Sequence, residues 1–514
     1  MASPDEAGVR ELALPAGGWT TRTVGWHLAT RSELLAVGAM GAVYFSLYAW
    51  LSVRRHQTFH SFGPDLGLFD QVFWNTVHGR FLESTMSLGL QQPHTFFSDH
   101  FSPALLILVP LYAAFPRPET LVVVQAAALS LGACPVYLAA RDRLPPGYQR
   151  LLWVVAYFLF PPLAHMTLYD FHEITLAVPL LGFAIYFADR GRMAWFWLVF
   201  AALLLVKEEL ALTGVAVGVF IVLRRRRAWR LGLAVSALSV AWFVAVTAFV
   251  IPFLGHGRGY VYFAQRYGEL GGSPVAAVQT MLTQPLRVAH LLLERQKLAF
   301  LVALFGPMLA VNLLAGWRLL LAVPPLSYLL LSSYPPEYSI SNHYAAPLVP
   351  LVLITAVWGF ARLPARWRPA GAVGILAGSL LFAFVLGDLP GSAKFRPADF
   401  STEPRYVAFA PQLALIPPGA SVAAENNLTP HLSHRTLIFD LEYEGAAGAD
   451  YVVLDYAATG RDARRFAQQV SGVETQGYRL LASGPGLALL IKRGGNPGSP
   501  HGPTLLSGVM AGVE

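Results

Sequence analysis

Residues 34–53 read LLAVGAMGAVYFSLYAWLSV. Twenty residues without a charge are what a helix needs to cross a hydrocarbon core about 30 Å thick. The run starts too late and is too long for the apolar part of a cleaved leader, and no small-x-small cleavage site follows it. Further apolar runs lie near 119–140, 151–168, 174–189, 194–206, 210–223, 231–253, 298–315, 319–333, 344–361 and 370–387. The expectation is therefore a chain with about eleven spans. The stretch 103–115, bounded by Pro103 and Pro116, is too short to span and reads as a re-entrant or interfacial helix. Composition agrees. Of 514 residues, 55% are hydrophobic and 13% charged, and mean hydropathy is +0.49. That balance excludes a water-soluble globular enzyme and a disordered chain. With Cys134 the sole cysteine, neither an intramolecular disulfide nor a cysteine-based zinc site is possible.

The net charge of +7 does not indicate a nucleic-acid partner, because the arginines fall between apolar runs. With a cytoplasmic N-terminus, the inner loops are 141–150, 190–193, 224–230, 316–318 and 362–368. These 31 residues hold 14 Arg, including Arg224, Arg225, Arg226 and Arg227, whereas about 127 outer residues hold 10 Lys or Arg. Bias in short loops is where the positive-inside rule is strongest. The domains expected are a cytoplasmic tail over 1–31, a transmembrane domain over 32–390 with a long first outer loop at 54–118, an extracytoplasmic α/β domain over 391–493, and a flexible Gly/Pro/Ser-rich tail over 494–514. The last domain is signalled by the alternating run YVVLDY (451–456), a helical stretch at 460–470 and the apolar run LALLIK (487–492). At 194–223 the centre is Lys207, Glu208 and Glu209. One helix of that length would run about 45 Å, and a charge at mid-membrane costs at least about 2.5–3.5 kcal/mol. Two short helices meeting at an outward-facing turn are expected instead.

Polar residues gather on the outer side. The first outer loop contains HSFGPDLGLFDQVFWNTVHGRF (60–81). Asp65 and Asp70 are five residues apart, roughly 140° on an ideal helix, and so on different faces. Gly63-Pro64 predicts a turn with Asp65 as a cap, and Asp70 lies beside the apolar stripe Phe69, Val72, Phe73, where a carboxylate can have a raised pKa and serve as a base. In FSDHFSP (97–103), Asp99 and His100 suit base orientation or a divalent cation. In YDFHE (169–173), Asp170, His172 and Glu173 offer oxygen and nitrogen ligands. The zincin pattern is excluded, since the second histidine would fall at Leu176. Lys207 either neutralises a neighbouring glutamate or grips a phosphate. Arg258 and Arg266, set among Tyr260, Tyr262 and Tyr267, and His343 in YPPEYSISNHY (334–344) suit a lipid-linked sugar or an aromatic belt. NNLTPHLSHR (426–435) adds His431 and His434.

GPDLGLFDQVFWN (63–75), DHFSP (99–103), YDFHEI (169–174), the Lys207-Glu208-Glu209 turn and PHLSHR (430–435) together resemble the bacterial membrane family called domain-of-unknown-function 2079, over about residues 35–493. That family is grouped with the GT-C glycosyltransferases, multi-span enzymes that use polyprenyl-phosphate sugars. The resemblance implies an all-α polytopic membrane fold of GT-C type with a small extracytoplasmic α/β domain. Asp70 sits where the first-loop acid of such enzymes sits; Gln71 replaces the usual second acid, so Asp65 or Asp99 takes that role. Asp170 occupies the loop in which some metal-using members place a further acid. The function expected is transfer of a sugar from a polyprenyl-phosphate donor to an envelope acceptor on the outer face of the cell membrane. Asp70, Asp65 and Asp99 are the catalytic candidates. His100, Lys207, Glu208, Glu209, Arg258, Arg266 and His343 bind substrate, and a divalent metal ion at Asp170, His172 and Glu173 is optional. The partners are the bilayer and the lipid-linked sugar. The alternatives are a transporter or flippase without covalent chemistry, which predicts inverted repeats that the sequence does not show, and an envelope assembly scaffold.

Overall fold

The computed structural model describes residues 19–86, 94–258, 260 and 262–494. The tail ahead of residue 19 and the tail from residue 495 on lie outside the described residues. The first helix runs from Trp19 to Gln57, so it begins well before the apolar run that signals it. Among the described residues, five helices are long and apolar enough to cross a membrane: Arg31–Gln57, Pro118–Arg141, Arg226–Leu254, Val311–Leu330 and Ala365–Leu386. A sixth crossing is possible where Tyr148–Phe158 and Pro161–Leu168 meet at a bend of 44°. The bend falls at Pro161 and Pro162, whose missing N–H groups interrupt the helical ladder. The other expected spans form shorter or broken helices, so length and composition alone pick out about half of the eleven.

Several local expectations are met. Residues 193–224 form two helices, Met193–Leu204 and Leu210–Arg224, with Lys207, Glu208 and Glu209 in the break. Residues 103–115 form the ten-residue helix Leu105–Ala114 with Pro110 inside. Asp65 does not cap a helix through its side chain. It lies inside a single π-helical turn, Gly63–Gly67, which leads into the helix Leu68–Val77.

The first helix is tied to the arginine-rich end of the bundle by a buried ion pair. Arg150 Nη1 lies 3.1 Å from Glu33 Oε2, and Glu33 also accepts from Tyr137 Oη (2.9 Å) and from the Gly147 N–H (2.5 Å). Burial makes each partner dependent on the other.

The C-terminal residues build a mixed sheet. A two-residue pair comes first in the chain, β1 (Glu83–Ser84) with β2 (His94–Thr95), antiparallel. The larger sheet contains β3 (Val422–Ala424), β4 (Ile438–Asp440), β5 (Tyr451–Asp455), β6 (Tyr478–Gly484) and β7 (Leu487–Lys492), in the order β4-β3-β5-β7-β6. β3 is parallel to both β4 and β5, while β7 is antiparallel to β5 and β6. The helix Ala463–Thr475 is capped by Asp462, which accepts from the Arg464 and Arg465 N–H groups. One face of the sheet shares a hydrophobic core with the first loop: Leu66, Phe69, Val72 and Phe73 pack in one cluster with Phe409, Leu428, Ile438 and Leu489. The domain is therefore built onto the first loop and is not a free appendage.

Replacing Glu33 with Leu leaves Arg150 buried without its carboxylate. We expect a loss of about 3–5 kcal/mol, read as a lowered midpoint of thermal unfolding of the full chain in detergent, and partial recovery in a Glu33→Leu/Arg150→Met double variant.

Candidate functional site

Distant segments converge on a cavity of about 490 Å³. The first loop supplies Phe62, Asp65 and Phe69, followed by Asp99 and His100. The turn after the bent helix pair supplies Tyr169, His172 and Glu173, and the break between the two short helices supplies Lys207. Tyr262 and Arg266 enter from one later loop, and Asn342, His343 and Tyr344 from another. The C-terminal domain closes the wall with Asn426, Asp440, Tyr443 and Glu444.

Asp65, Glu173, Asp99, Lys207 and Arg266 are each held by a residue from another segment. Asp65 Oδ1 lies 3.0 Å from His172 Nε2, and its Oδ2 accepts from Tyr169 Oη at 2.8 Å. The His172 ring stacks on His343, with centroids 3.4 Å apart. Burial and the adjacent His172 hold His343 well below the ordinary histidine pKa, so it is a neutral ring. Glu173 pairs with Lys207 at 3.0 Å. Glu208 stands behind His100: its Oε1 is 2.8 Å from His100 Nδ1, and its Oε2 accepts from the Phe101 N–H at 3.1 Å. Asp99 accepts from Tyr262 Oη at 2.5 Å. Arg266 pairs with Glu337 at 2.7 Å and lies over the Tyr262 ring. Lys207 thus meets a glutamate of a different loop, although two glutamates follow it directly in the chain.

The expected site residues divide into two groups. Asp65, Asp99, His100, His172, Glu173, Lys207, Arg266 and His343 line the cavity; Asp70, Asp170, Glu208, Glu209 and Arg258 do not. Asp170 sits behind the wall, paired with Arg55 at 3.0 Å and accepting from the Phe62 N–H at 2.5 Å. Its burial raises its pKa to about 6, against the opposing pull of Arg55. Asp70 does not rest beside the membrane. It is fully buried, accepting from Tyr112 Oη at 2.5 Å and Ser433 Oγ at 2.6 Å, with His434 Nε2 at 3.1 Å. The five-residue separation from Asp65 does put the two carboxylates on different sides, and only Asp65 faces the cavity.

The metal expectation does not fit this geometry. Asp170, His172 and Glu173 turn to Arg55, Asp65 and Lys207 respectively. Among the described residues no group of three or more His, Cys, Asp or Glu is placed to hold one ion. A guanidinium and an ammonium already occupy the positions that a cation would take beside Asp170 and Glu173.

The sequence reading missed the contribution of the C-terminal domain. Asn426 follows β3 and Asp440 ends β4, both at the carboxyl edge of the parallel strands. Open sheets place ligands at that edge, and this was the signal that could have found them. The first loop fits against the same edge because it is glycine there. A Cβ on Gly63 would come within 2.5 Å of Asp440 Oδ2, and one on Gly67 within 3.3 Å of the Pro430 nitrogen. The Gly63 N–H donates to Asn426 Oδ1 at 2.8 Å.

Burial raises the Asp440 pKa from 3.8 to about 7. A group with a raised pKa binds more protons folded than unfolded, so its contribution declines as pH rises from the unfolded to the folded value. We expect Asp440's own contribution to be lost between about pH 4 and pH 7, read as a thermal midpoint that falls less, or rises more, over that window in an Asp440→Asn variant than in the wild type. An unchanged slope would remove Asp440 from the account.

The family model described as predicted membrane protein (DUF2079) matches residues 55–489. No curated protein matches the chain in sequence. Among solved structures, the fold is similar to ArnT from Cupriavidus metallidurans in the apo state. The TM-score is 0.50 at 13% sequence identity, and the match covers 90% of this chain and 98% of that one. At that identity the likeness concerns the fold. The family match extends from the last residues of the first helix through β7, taking in the first loop, the cavity and the C-terminal sheet, and this chain is a member of the DUF2079 family of membrane proteins.

Proposed function

We propose that the protein is an integral membrane glycosyltransferase of GT-C type that moves a sugar from a polyprenyl-phosphate donor to an envelope acceptor. The ArnT-like fold supports this reading. The observation that carries it is the placement of Asp65: a carboxylate facing a cavity walled by distant segments, with one oxygen held by Tyr169 and the other by His172. The charge pattern of the arginine clusters supports a topology of eleven crossings, in which the shorter helices also traverse, with the cavity and the C-terminal domain outside the cell.

In this reading Asp65, not Asp70, is the general base. It takes the proton of the acceptor hydroxyl as that oxygen bonds to the anomeric carbon. The bond from the anomeric carbon to the phosphate oxygen breaks, and polyprenyl phosphate leaves. Inversion follows, because the acceptor enters opposite the leaving group. His172 holds Asp65 in register, and Lys207 and Arg266, the permanent cations on the cavity wall, stabilise the leaving charge. Glu173 and Glu337 fix the two cations and reduce their net charge. Asp99, fastened to Tyr262, serves as a hydrogen-bond acceptor for a substrate hydroxyl. No step requires a metal ion.

In vesicles carrying the full chain and a radiolabelled polyprenyl-phosphate monosaccharide, Asp65→Asn is expected to slow loss of the lipid-linked label by about 10²–10⁴-fold in protein that still folds. Full-rate transfer by a folded Asp65→Asn variant would refute the assignment.

A further inference from the structure

A second cavity, of about 510 Å³, lies on the other side of Tyr169 and has a different electrostatic character. The first is rich in carboxylates: Asp65, Asp99, Glu173, Asp440 and Glu444 face only two permanent cations, Lys207 and Arg266. The second is lined by Arg55, Lys394 and Arg396 against Asp388 and Asp399, with Leu168, Ile340 and Leu386 as an apolar wall. Several of these charges are already matched. Arg55 meets Asp170 at 3.0 Å. His165 places Nδ1 2.7 Å from Asp388 and Nε2 2.5 Å from the Leu386 carbonyl, so both ring nitrogens face acceptors. Asp399 is 3.9 Å from His60. Among the described residues, the exposed side chains of Lys394 and Arg396 have no hydrogen-bond or ion-pair partner, although the lining carboxylates Asp388 and Asp399 equal them in number.

The segment that carries these two residues is held in place. The Ala393 N–H donates to the Phe384 carbonyl at 2.8 Å, Ser392 Oγ donates to the Gly387 carbonyl at 2.6 Å, and Phe395 stacks on Phe400 with centroids 5.0 Å apart. Lys394 and Arg396 therefore line an open space beyond the end of the helix Arg368–Leu386. A ligand for this space needs an anionic group for the cations and an apolar part for the leucine–isoleucine wall. A guanidinium and an ammonium lining one space are groups that suit phosphate oxygens.

We propose that this cavity is a phosphate-binding site, distinct from the carboxylate-rich cavity, and that it takes the phosphate of a lipid headgroup or a free phosphate ion. The proposal does not depend on sugar transfer, because occupancy is read by binding alone. The test uses the full chain in nonionic detergent, titrated separately with dihexanoyl phosphatidic acid, inorganic phosphate and, as a zwitterionic control, dihexanoyl phosphatidylcholine, with heat of binding as the readout. Saturable binding of phosphatidic acid is expected, weakened about tenfold or more in a Lys394→Glu/Arg396→Glu variant, with little binding of the control. Binding of phosphatidic acid without inorganic phosphate identifies a lipid headgroup as the source; comparable binding of both identifies free phosphate. If neither binds saturably, or the double variant binds both as the wild type does, the proposal is overturned. Loss of transfer in Asp65→Asn with phosphate binding intact would leave this site standing, and the converse would leave the transferase reading standing.

Discussion

A carboxylate removed from water must be matched by donors, and Asp70 is fully buried. Its donors come from elsewhere in the chain: Tyr112 from the proline-bounded helix later in the first loop, and Ser433 and His434 from the C-terminal domain. Meeting that requirement brings the helix Leu68–Val77, the short helix Leu105–Ala114 and the segment after β3 to one point. The hydrophobic cluster of Phe69, Val72 and Phe73 with Leu428 and Ile438 surrounds it. Once the C-terminal domain is seated there, the carboxyl edge of its parallel strands faces the membrane domain, and Asn426 and Asp440 become cavity wall. Gly63 and Gly67 allow the approach by presenting no Cβ.

The same logic runs through the rest of the site. Asp65 with His172, Glu173 with Lys207, Glu208 with His100, Glu337 with Arg266 and Asp170 with Arg55 each join two segments that are remote in sequence. A buried ion pair gives little net stability, but breaking one is expensive. Three ion pairs and two carboxylate–histidine contacts in one region therefore favour one mutual arrangement of the loops over others. They also consume the ligands that a metal centre would have needed.

Charge separation divides the region further. Carboxylates and imidazoles outnumber the cations on the Asp65 side of Tyr169, whereas cations and carboxylates are nearly balanced on the Lys394 side. The two spaces are adjacent, separated by one aromatic side chain and the Arg55–Asp170 pair behind it.

Much of this was legible in the sequence. Apolar runs show membrane helices because a bilayer leaves no backbone polar group unpaired except in helices and closed barrels. The cost of charge at depth marks 207–209 as a break, and the break is there. Gly-Pro and five-residue spacing separate Asp65 from Asp70, and the alternating and apolar runs at 451–456 and 487–492 are the central strands of the C-terminal sheet. Partner choice was beyond the sequence. Lys207 is followed by two glutamates yet meets Glu173, and Asp70 finds Ser433 and His434 across the whole membrane domain. Periodicity and spacing report local geometry over a few residues, whereas ion pairing and burial depend on how segments hundreds of residues apart approach in space. Tertiary structure alone therefore decided which carboxylate faces the cavity and which one fastens the C-terminal domain over it.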